Sequence, residues 1–514
     1  MASEYMSPEF LNRFLEKKWL LGLIVLAGTI FVVLQARYIL NIMTGETSSK
    51  TRPNLIYITL DTLRYDHLNV YGYSRETSPN ISRLAEDSLV FENAFTVATN
   101  SAPSHASMLT GLYPLQHGLV DNGMAISPQS PILTEYLSRK NYDTSAFIGY
   151  HALSEESGLN RGFANFVNIP IASHEHEDKD LEEDTEGFIA FLDWLDSWSQ
   201  KHPAENKKGE SSKAGNFFAW LHVQNIHESY DPPPPYDTLF MPIPPPQKLK
   251  GFDEDFNLRC ANDLAKAWRN GLLPETFQEP AIALYDGEIR LVDDYLGKIF
   301  ASLKAKGLYD ETMIVLLADH GELHFESYDH QFAKPGPGHT GRYYEPVIRI
   351  PLLIKPPKSA IVNTPVRSQA MVSTIDLVPT VMEALNFPAL PWLPGKSLLQ
   401  AKENGLTAEE TVFLQETPYD EEYRVVRDKR WKYIKKVDEQ GNTTALLLDL
   451  ENDPKENQNL LAEQPEKVIK MEALLKEWGD RQKMKWTSHK KEISEEMRKE
   501  LIAGGYLRPP SEKK

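Results

Sequence analysis

Asn54–Asp61, NLIYITLD, decides the fold: a run of apolar and β-branched residues ends abruptly on a carboxylate. Such a run reads as a buried strand. Ligands of open α/β sheets bind in the crevice beyond the carboxyl ends of the strands, so Asp61 stands where chemistry is usually done. The arrangement recurs twice. Asn216–Val223 (NFFAWLHV) carries His222 at its end and His227 just beyond, and Thr312–Ala318 (TMIVLLA) runs into Asp319 and His320. Helical patterns over Ser78–Asp87, Pro131–Arg139, Glu183–Ser199 and Ala281–Lys304 lie between them. Together these predict an α/β fold with a large doubly wound, mixed or parallel sheet flanked by helices.

Working outward, Lys201–Gly215 is polar and charged, and Asp231–Gln247 is rich in proline, which favours extended, stiff backbone at the rim of the crevice over helix. The large domain is expected over 54–395. After it, Thr411–Gln415, Tyr423–Arg427, Trp431–Lys435 and Ala445–Leu450 are short strand-like runs followed by a helix over Pro465–Trp478, which makes 396–480 a small α+β subdomain. A charged tail, 481–514, follows.

Toward the amino terminus, Trp19–Leu34 (WLLGLIVLAGTIFVVL) carries no charge. Extended to Ile39, it is long enough for a bilayer core of about 30 Å. Arg13, Lys17 and Lys18 precede it, so 1–18 is expected in the cytoplasm, 19–39 as a single-pass transmembrane signal anchor, 40–53 as a linker, and the rest in the periplasm, the extracellular space or a lumen. A cleaved signal peptide is the alternative, with Ala36 at the cleavage point.

The chain has 514 residues, 41% hydrophobic and 25% charged, as a globular protein does. Its formal net charge of -18 argues against a nucleic-acid partner, which clustered Lys and Arg would hold. The single cysteine, Cys260, excludes an intramolecular disulfide and a multi-thiolate zinc site. Any metal must therefore use Asp, Glu, His and hydroxyl oxygen.

Asn100–Gly118, NSAPSHASMLTGLYPLQHG, is the segment richest in chemistry. Ser101 and Pro103 stand at an apparent helix start, where unpaired backbone amides and the positive dipole end favour an anion. A serine there can attack phosphorus or sulfur; alternatively Ser101 or Ser104 only caps the helix.

The segment resembles the signature C/S-x-P-S-R-x-x-x-L/T-G of the sulfatase family in the alkaline phosphatase superfamily, with Ser101, Pro103, Ser104, Leu109, Thr110 and Gly111 at matching positions. The likeness continues in family order. Asn54–Gly72 resembles the opening strand and first metal ligand, Leu221–Tyr236 the histidine-rich middle motif, and Ala318–Glu322 (ADHGE) with Gly338–Pro351 the second metal block. RDKRWKYI at 427–434 and LLLDLENDPKENQNL at 446–460 resemble the small carboxy-terminal subdomain.

This resemblance implies an alkaline-phosphatase-like catalytic domain in which Asp61, Asp319 and His320 bind a divalent cation. Ser101 would be the fourth ligand and, as an alkoxide on that cation, the nucleophile. His222, His227 and His339 would surround the ester as hydrogen-bond donors, as the acid for the leaving group, or as ligands of a second metal. His105, Tyr150 and His151 would contact substrate.

Departures from the family pattern sharpen the expectation. Conversion of the first motif residue to formylglycine asks for Arg four residues later, and here that residue is His105, so Ser101 is expected to remain a serine. Asp61 is followed by Thr62 where the family has paired aspartates, and Asp319-His320 replaces the Asp-Asn or Asp-Gln of calcium enzymes. Among manganese, zinc, iron and calcium, this donor set leans toward a transition metal. GYHAL at 149–153 stands where many relatives have GKWHL, so Tyr150 replaces a lysine, and His339 lies near the place of another. The pattern resembles the branches that use unmodified Ser or Thr, namely phosphonate and phosphodiester hydrolases and membrane-anchored phosphoethanolamine or phosphoglycerol transferases. The expected activity is hydrolysis of a small-molecule, glycan-linked or lipid-linked sulfate or phosphate ester. A headgroup transferase and a catalytically silent scaffold are the alternatives.

Overall fold

Leu55–Leu60 is wholly buried because β1 (Asn54–Leu60) runs between two parallel neighbours, β5 (Asn216–Val223) and β6 (Thr312–Ala318). The register pairs Thr59 with His222, and Leu60 with both Val223 and Ala318, so the three strands end level. All three begin and end where the apolar runs do.

The computed structural model describes residues 52–169, 185–203, 215–227, 230–241, 275–326, 328, 337–360, 362–400, 411–418 and 421–481. The expected anchor 19–39 and its cytoplasmic flank, most of the linker, Cys260, most of the 201–215 insertion and the tail beyond 481 lie outside the described residues. Among the described helices none is long and apolar enough to cross a membrane.

Nine strands form the large sheet among the described residues. Beyond the central three they are β2 (Leu89–Phe95), β3 (Tyr142–Ile148), β4 (Asn165–Asn168), β7 (Arg349–Ile350), β8 (Leu352–Lys355) and β9 (Val366–Ser373). The order is β4-β3-β5-β1-β6-β8-β2-β7, with β9 parallel to β2. From β4 to β6 every pairing is parallel; β8 then runs antiparallel to both β6 and β2, so the sheet is mixed. Helices α1 (Pro79–Ala85), α4 (Glu186–Lys201) and α5 (Gln278–Ala305) form one contacting group beside it, and α2 (Ser101–Thr110), α3 (Leu133–Arg139) and α6 (Leu377–Ala384) form another. Along α5 the buried Leu284, Ile289, Val292, Leu296, Ile299 and Leu303 recur at helical spacing, each worth roughly 1.5–3 kcal/mol when removed from water.

A second sheet, β10 (Thr411–Glu416), β11 (Glu422–Asp428), β12 (Trp431–Val437) and β13 (Thr443–Asp449), is a four-stranded antiparallel meander followed by α7 (Pro465–Arg481). Its residues alternate between two cores. Leu414, Val425, Ile434 and Leu446 pack against Phe95, Leu323, Tyr343 and Val347, while Val426, Tyr433 and Leu447 pack under Met471, Leu475 and Trp478 of α7. Strand β10 is also tied by backbone, Gln415 N–H donating to Val97 O at 3.1 Å. This sheet thereby abuts the segment that leads into α2.

Candidate active site

Because β1, β5 and β6 end level, Asp61, His222, Asp319 and His320 gather at one edge of the sheet. The Asp61 amide continues the ladder, donating to Val223 O at 2.9 Å. Thr62 then turns out of the strand at φ +55°, a left-handed conformation that β-branched residues adopt at a cost. Its amide donates to Asp319 Oδ1 (3.3 Å) and its hydroxyl to Ile226 O (3.1 Å). The residue standing for the family's second aspartate thus still grips Asp319, through its backbone. Tyr285 secures the bend, accepting from Arg64 N–H and donating to Thr62 O, each at 2.9 Å.

Helix α2 begins on Ser101, with Asn100 as its N-cap, so neither Ser101 nor Ser104 fills the capping position. Ser101 Oγ lies 3.3 Å from His320 Nε2, and Ser104 Oγ donates to Asp319 O at 2.8 Å. Around the same point, His320 Nε2 is 3.4 Å from Asp319 Oδ2 and 3.9 Å from Asp61 Oδ1, with all three side chains fully buried. Donor atoms of Asp61, Asp319 and His320 lie within 4.8 Å of one another.

These donors fit a divalent cation. His320 Nδ1–H donates to Gly321 O at 3.1 Å, so the neutral ring turns the Nε2 lone pair toward the carboxylates. Both oxygens of Asp61 and Oδ2 of Asp319 are buried without a hydrogen-bond donor. Lone pairs facing one another in a dry pocket repel unless a positive charge stands between them. Burial, and then the charges of Asp319 and Glu322, push the Asp61 carboxyl well above its usual range. Burial likewise lowers His320, to about 4, keeping the imidazole neutral as a metal ligand requires.

Histidine and aromatic rings wall the rest of the site. His339 stacks on His320 with centroids 4.3 Å apart, His227 meets His339 edge-on at 5.4 Å, and Tyr150 stacks on His227 at 6.2 Å and tilts to His222 at 6.4 Å. His222 Nε2 is 3.6 Å from Asp61 Oδ2, and its Nδ1 meets the Thr59 hydroxyl at 3.2 Å. His105 is sealed behind Ser101: its Nδ1–H donates to Ser101 O at 2.7 Å and lies 3.8 Å from Asp319 Oδ2, and its ring packs between Trp220 and His222. Burial depresses the basicity of His105, His222 and His339 alike. His151, next to Tyr150 along the chain, is half-buried at the start of the turn His151–Leu153.

Three residues not singled out from the sequence belong here. Glu322 accepts from His339 Nδ1–H at 3.0 Å, and burial pushes its carboxyl up to about 7. Its signal was the final position of ADHGE. Asn122 accepts from Ala102 N–H at 2.9 Å while its Nδ2 is buried without a partner, leaving a donor beside the start of α2. In sequence Asn122-Gly123 reads only as a turn. Glu416 reaches the same turn from the second sheet, accepting from Thr99 N–H at 2.9 Å.

A family model described as Sulfatase matches residues 53–387, and one described as N-sulphoglucosamine sulphohydrolase, C-terminal, matches 341–483. An arylsulfatase of Clostridium perfringens is 23% identical over 458 residues, 80% of this chain and 90% of that protein. An N-acetylglucosamine-6-O-sulfatase of Bacteroides thetaiotaomicron is 22% identical over 442 residues, 73% of this chain and 75% of that protein. The phosphonate monoester hydrolase of Agrobacterium radiobacter superposes with a TM-score of 0.64 at 21% identity, over 84% of this chain and 96% of that one. A structure in complex with its substrate D-glucosamine-2-N,6-O-disulfate superposes with a TM-score of 0.66 at 19% identity, over 84% and 98%.

Proposed function

From the premise that the chain belongs to the sulfatase family and is a sulfate- or phosphate-ester hydrolase, we propose that it works with an unmodified serine, Ser101, beside a divalent cation held by Asp61, Asp319 and His320. The observation that carries the proposal is the cluster of donor-less carboxylate oxygens around His320 Nε2, which itself lies 3.3 Å from Ser101 Oγ. Bound there, the cation supplies a lowered serine pKa and neutralises charge growing on the ester oxygens. The mixed carboxylate and imidazole set favours manganese, zinc or iron over calcium.

Ser101 Oγ forms the new bond to sulfur or phosphorus while the bond to the leaving oxygen breaks. His339, fixed through Nδ1 by Glu322, and His227 beside it stand where an imidazole that takes up a proton as the ester binds would donate to the ester oxygens and pass that proton to the leaving group. Water then attacks the seryl ester and frees Ser101. A phosphoserine is discharged this way with net retention; a sulfoserine is the harder intermediate, and without a formylglycine route this favours phosphate or phosphonate esters. His105 supports the unmodified state, since it fills the place of the arginine that conversion asks for.

The proposal keeps residues 19–39 as a single-pass anchor with the catalytic domain outside the cytoplasmic membrane; protease accessibility of the full chain in intact cells tests that part.

The chemistry is tested by assaying chromogenic aryl sulfate, phosphate monoester, phosphodiester and phosphonate ester with manganese, zinc or calcium, beside Ser101→Ala and with glucosamine sulfates as further substrates. Turnover lost in Ser101→Ala is expected, and turnover surviving that change sinks the mechanism. The mass of the peptide holding Ser101 is expected to be that of serine; an aldehyde mass refutes the unmodified state.

A further inference from the structure

Glu416, the last residue of β10, belongs to the second sheet, yet its carboxylate lies fully buried against the turn that presents Ser101. Three donors converge on it. The backbone amide of Thr99, two residues before Ser101, donates to Oε2 at 2.9 Å. The Thr99 hydroxyl donates to Oε1, and the Tyr343 hydroxyl donates to the same oxygen at 2.7 Å.

The second group of contacts comes from the loop that begins with His339. Gly341 N–H donates to Thr99 Oγ1 at 3.1 Å, and Thr340 Oγ1–H donates to Asn100 Oδ1 at 2.9 Å. One carboxylate therefore fastens two segments to each other: residues 99–100, which carry the serine, and residues 340–343, which follow the histidine stacked on His320. A purely apolar interface between the sheets would need no such group, because burying a carboxylate costs several kcal/mol unless its lone pairs are filled, and here they are.

We propose that Glu416 is a positioning residue for the reaction, a clamp from the carboxy-terminal sheet that sets the distance between Ser101 and His339. The proposal rests on the reading of Ser101 as nucleophile. It assigns the second sheet a part in chemistry without contact to substrate: the sheet holds the reacting atoms in register. All three surrounding groups are donors, the Thr99 amide on Oε2 and the two hydroxyls on Oε1. An amide at this position can keep its oxygen on the Thr99 N–H, but its NH2 then faces the Thr99 and Tyr343 hydroxyls, and both lose the acceptor that held them. The turn would shift by a fraction of an ångström, and a shift approaching 1 Å at a reacting atom costs on the order of 100-fold in rate.

The test uses the full chain loaded with manganese or zinc, comparing wild type, Ser101→Ala, Glu416→Gln and Tyr343→Phe on a chromogenic phosphonate or sulfate ester. Metal content and Tm are measured on each. Glu416→Gln is expected to lower kcat per bound metal by about 10- to 100-fold, with KM changed less than threefold and metal content unchanged. Tyr343→Phe, which removes one of the three donors and leaves the carboxylate, is expected to lose a smaller factor in the same parameter. A kcat per bound metal within twofold of wild type in Glu416→Gln overturns the clamp and leaves Ser101 untouched. Should Glu416→Gln fail to fold, Tyr343→Phe decides: a fall confined to Tm, with kcat and KM as in wild type, makes the cluster structural only and overturns the proposal. Turnover surviving in Ser101→Ala overturns both the nucleophile and the clamp.

Discussion

His339 Nδ1–H donates to Glu322 Oε2 across 3.0 Å, and the ring so held stacks on His320, which clusters with Asp61 and Asp319 after β6. A carboxylate that orients an imidazole fixes which nitrogen faces the reaction. Glu322→Gln keeps the shape and loses the charge. It is expected to lower kcat by about 10- to 100-fold, with the metal retained. Steady-state kinetics beside metal analysis check this, and an unchanged kcat would detach Glu322 from the chemistry.

Asp61 and Asp319 meet in a pocket whose carboxylate oxygens lack donors. In Asp61→Asn the carboxyl that must take up a proton, or keep a like charge, to be buried beside Asp319 is gone. Without metal, the variant is expected to be more stable than wild type by roughly 1–3 kcal/mol, while its metal affinity and activity fall steeply. Calorimetry with and without a chelator gives both signs: chelation lowers the Tm of wild type and leaves the variant nearly unmoved.

His105 is buried between Trp220 and His222. His105→Arg writes the usual signature residue into a space shaped for an imidazole. Overpacking of this kind costs about 1–3 kcal/mol. Thermal denaturation of the metal-loaded protein is expected to show the loss; an unchanged Tm would mean that a cavity capable of holding a guanidinium exists there.

Tyr285 spans the bend at Thr62, accepting from Arg64 N–H and donating to Thr62 O. In Tyr285→Phe a buried amide and a buried carbonyl lose their partner together, at a cost of about 1–3 kcal/mol. Urea unfolding should show the shift in midpoint, and activity should fall too if the left-handed Thr62 relaxes and releases Asp319.

Asp293 accepts from the amides of Asn80 and Ile81 at the start of α1, and burial pushes its carboxyl up to about 6 from 3.8. A folded-state pKa above the unfolded one means that the native state holds the extra proton. The contribution is therefore full below about pH 4 and is lost as pH rises through 6, on the order of 2–3 kcal/mol. Asp293→Asn should flatten this part of the stability profile between pH 4 and 7; a profile as steep as that of wild type contradicts it.

The three central strands were legible because a strand buried on both faces leaves no polar alternation to confuse it with a surface element. The second sheet was legible for the opposite reason, since its strands serve two cores by alternation. Other strands were hidden. In β3, YDTSAFI, the run Asp143-Thr144-Ser145 interrupts the apolar pattern, and in β2, LVFENAF, Glu92 and Asn93 fall at a shift of register between Phe91 and Asn93. Within the site, residues that stand at strand ends or in a motif could be found. Glu416 could not, because its meaning lies in partners 317 positions away along the chain, and a lone glutamate at the end of a short strand has no local signature. Asn122 was concealed in the same manner by looking like a turn.

Thr62 and Asp319 are 257 residues apart in sequence and touch only because β6 lies beside β1. During synthesis from the amino terminus, a cation at Asp61, Asp319 and His320 would therefore have no complete binding place until the strand ending at Ala318 has been made and docked. The carboxylate of Glu416, on the turn before Ser101, arrives later still. On the proposed reading, metal uptake and catalytic competence would be separate milestones in the birth of the molecule, the first passed when β6 docks and the second when the carboxy-terminal sheet does.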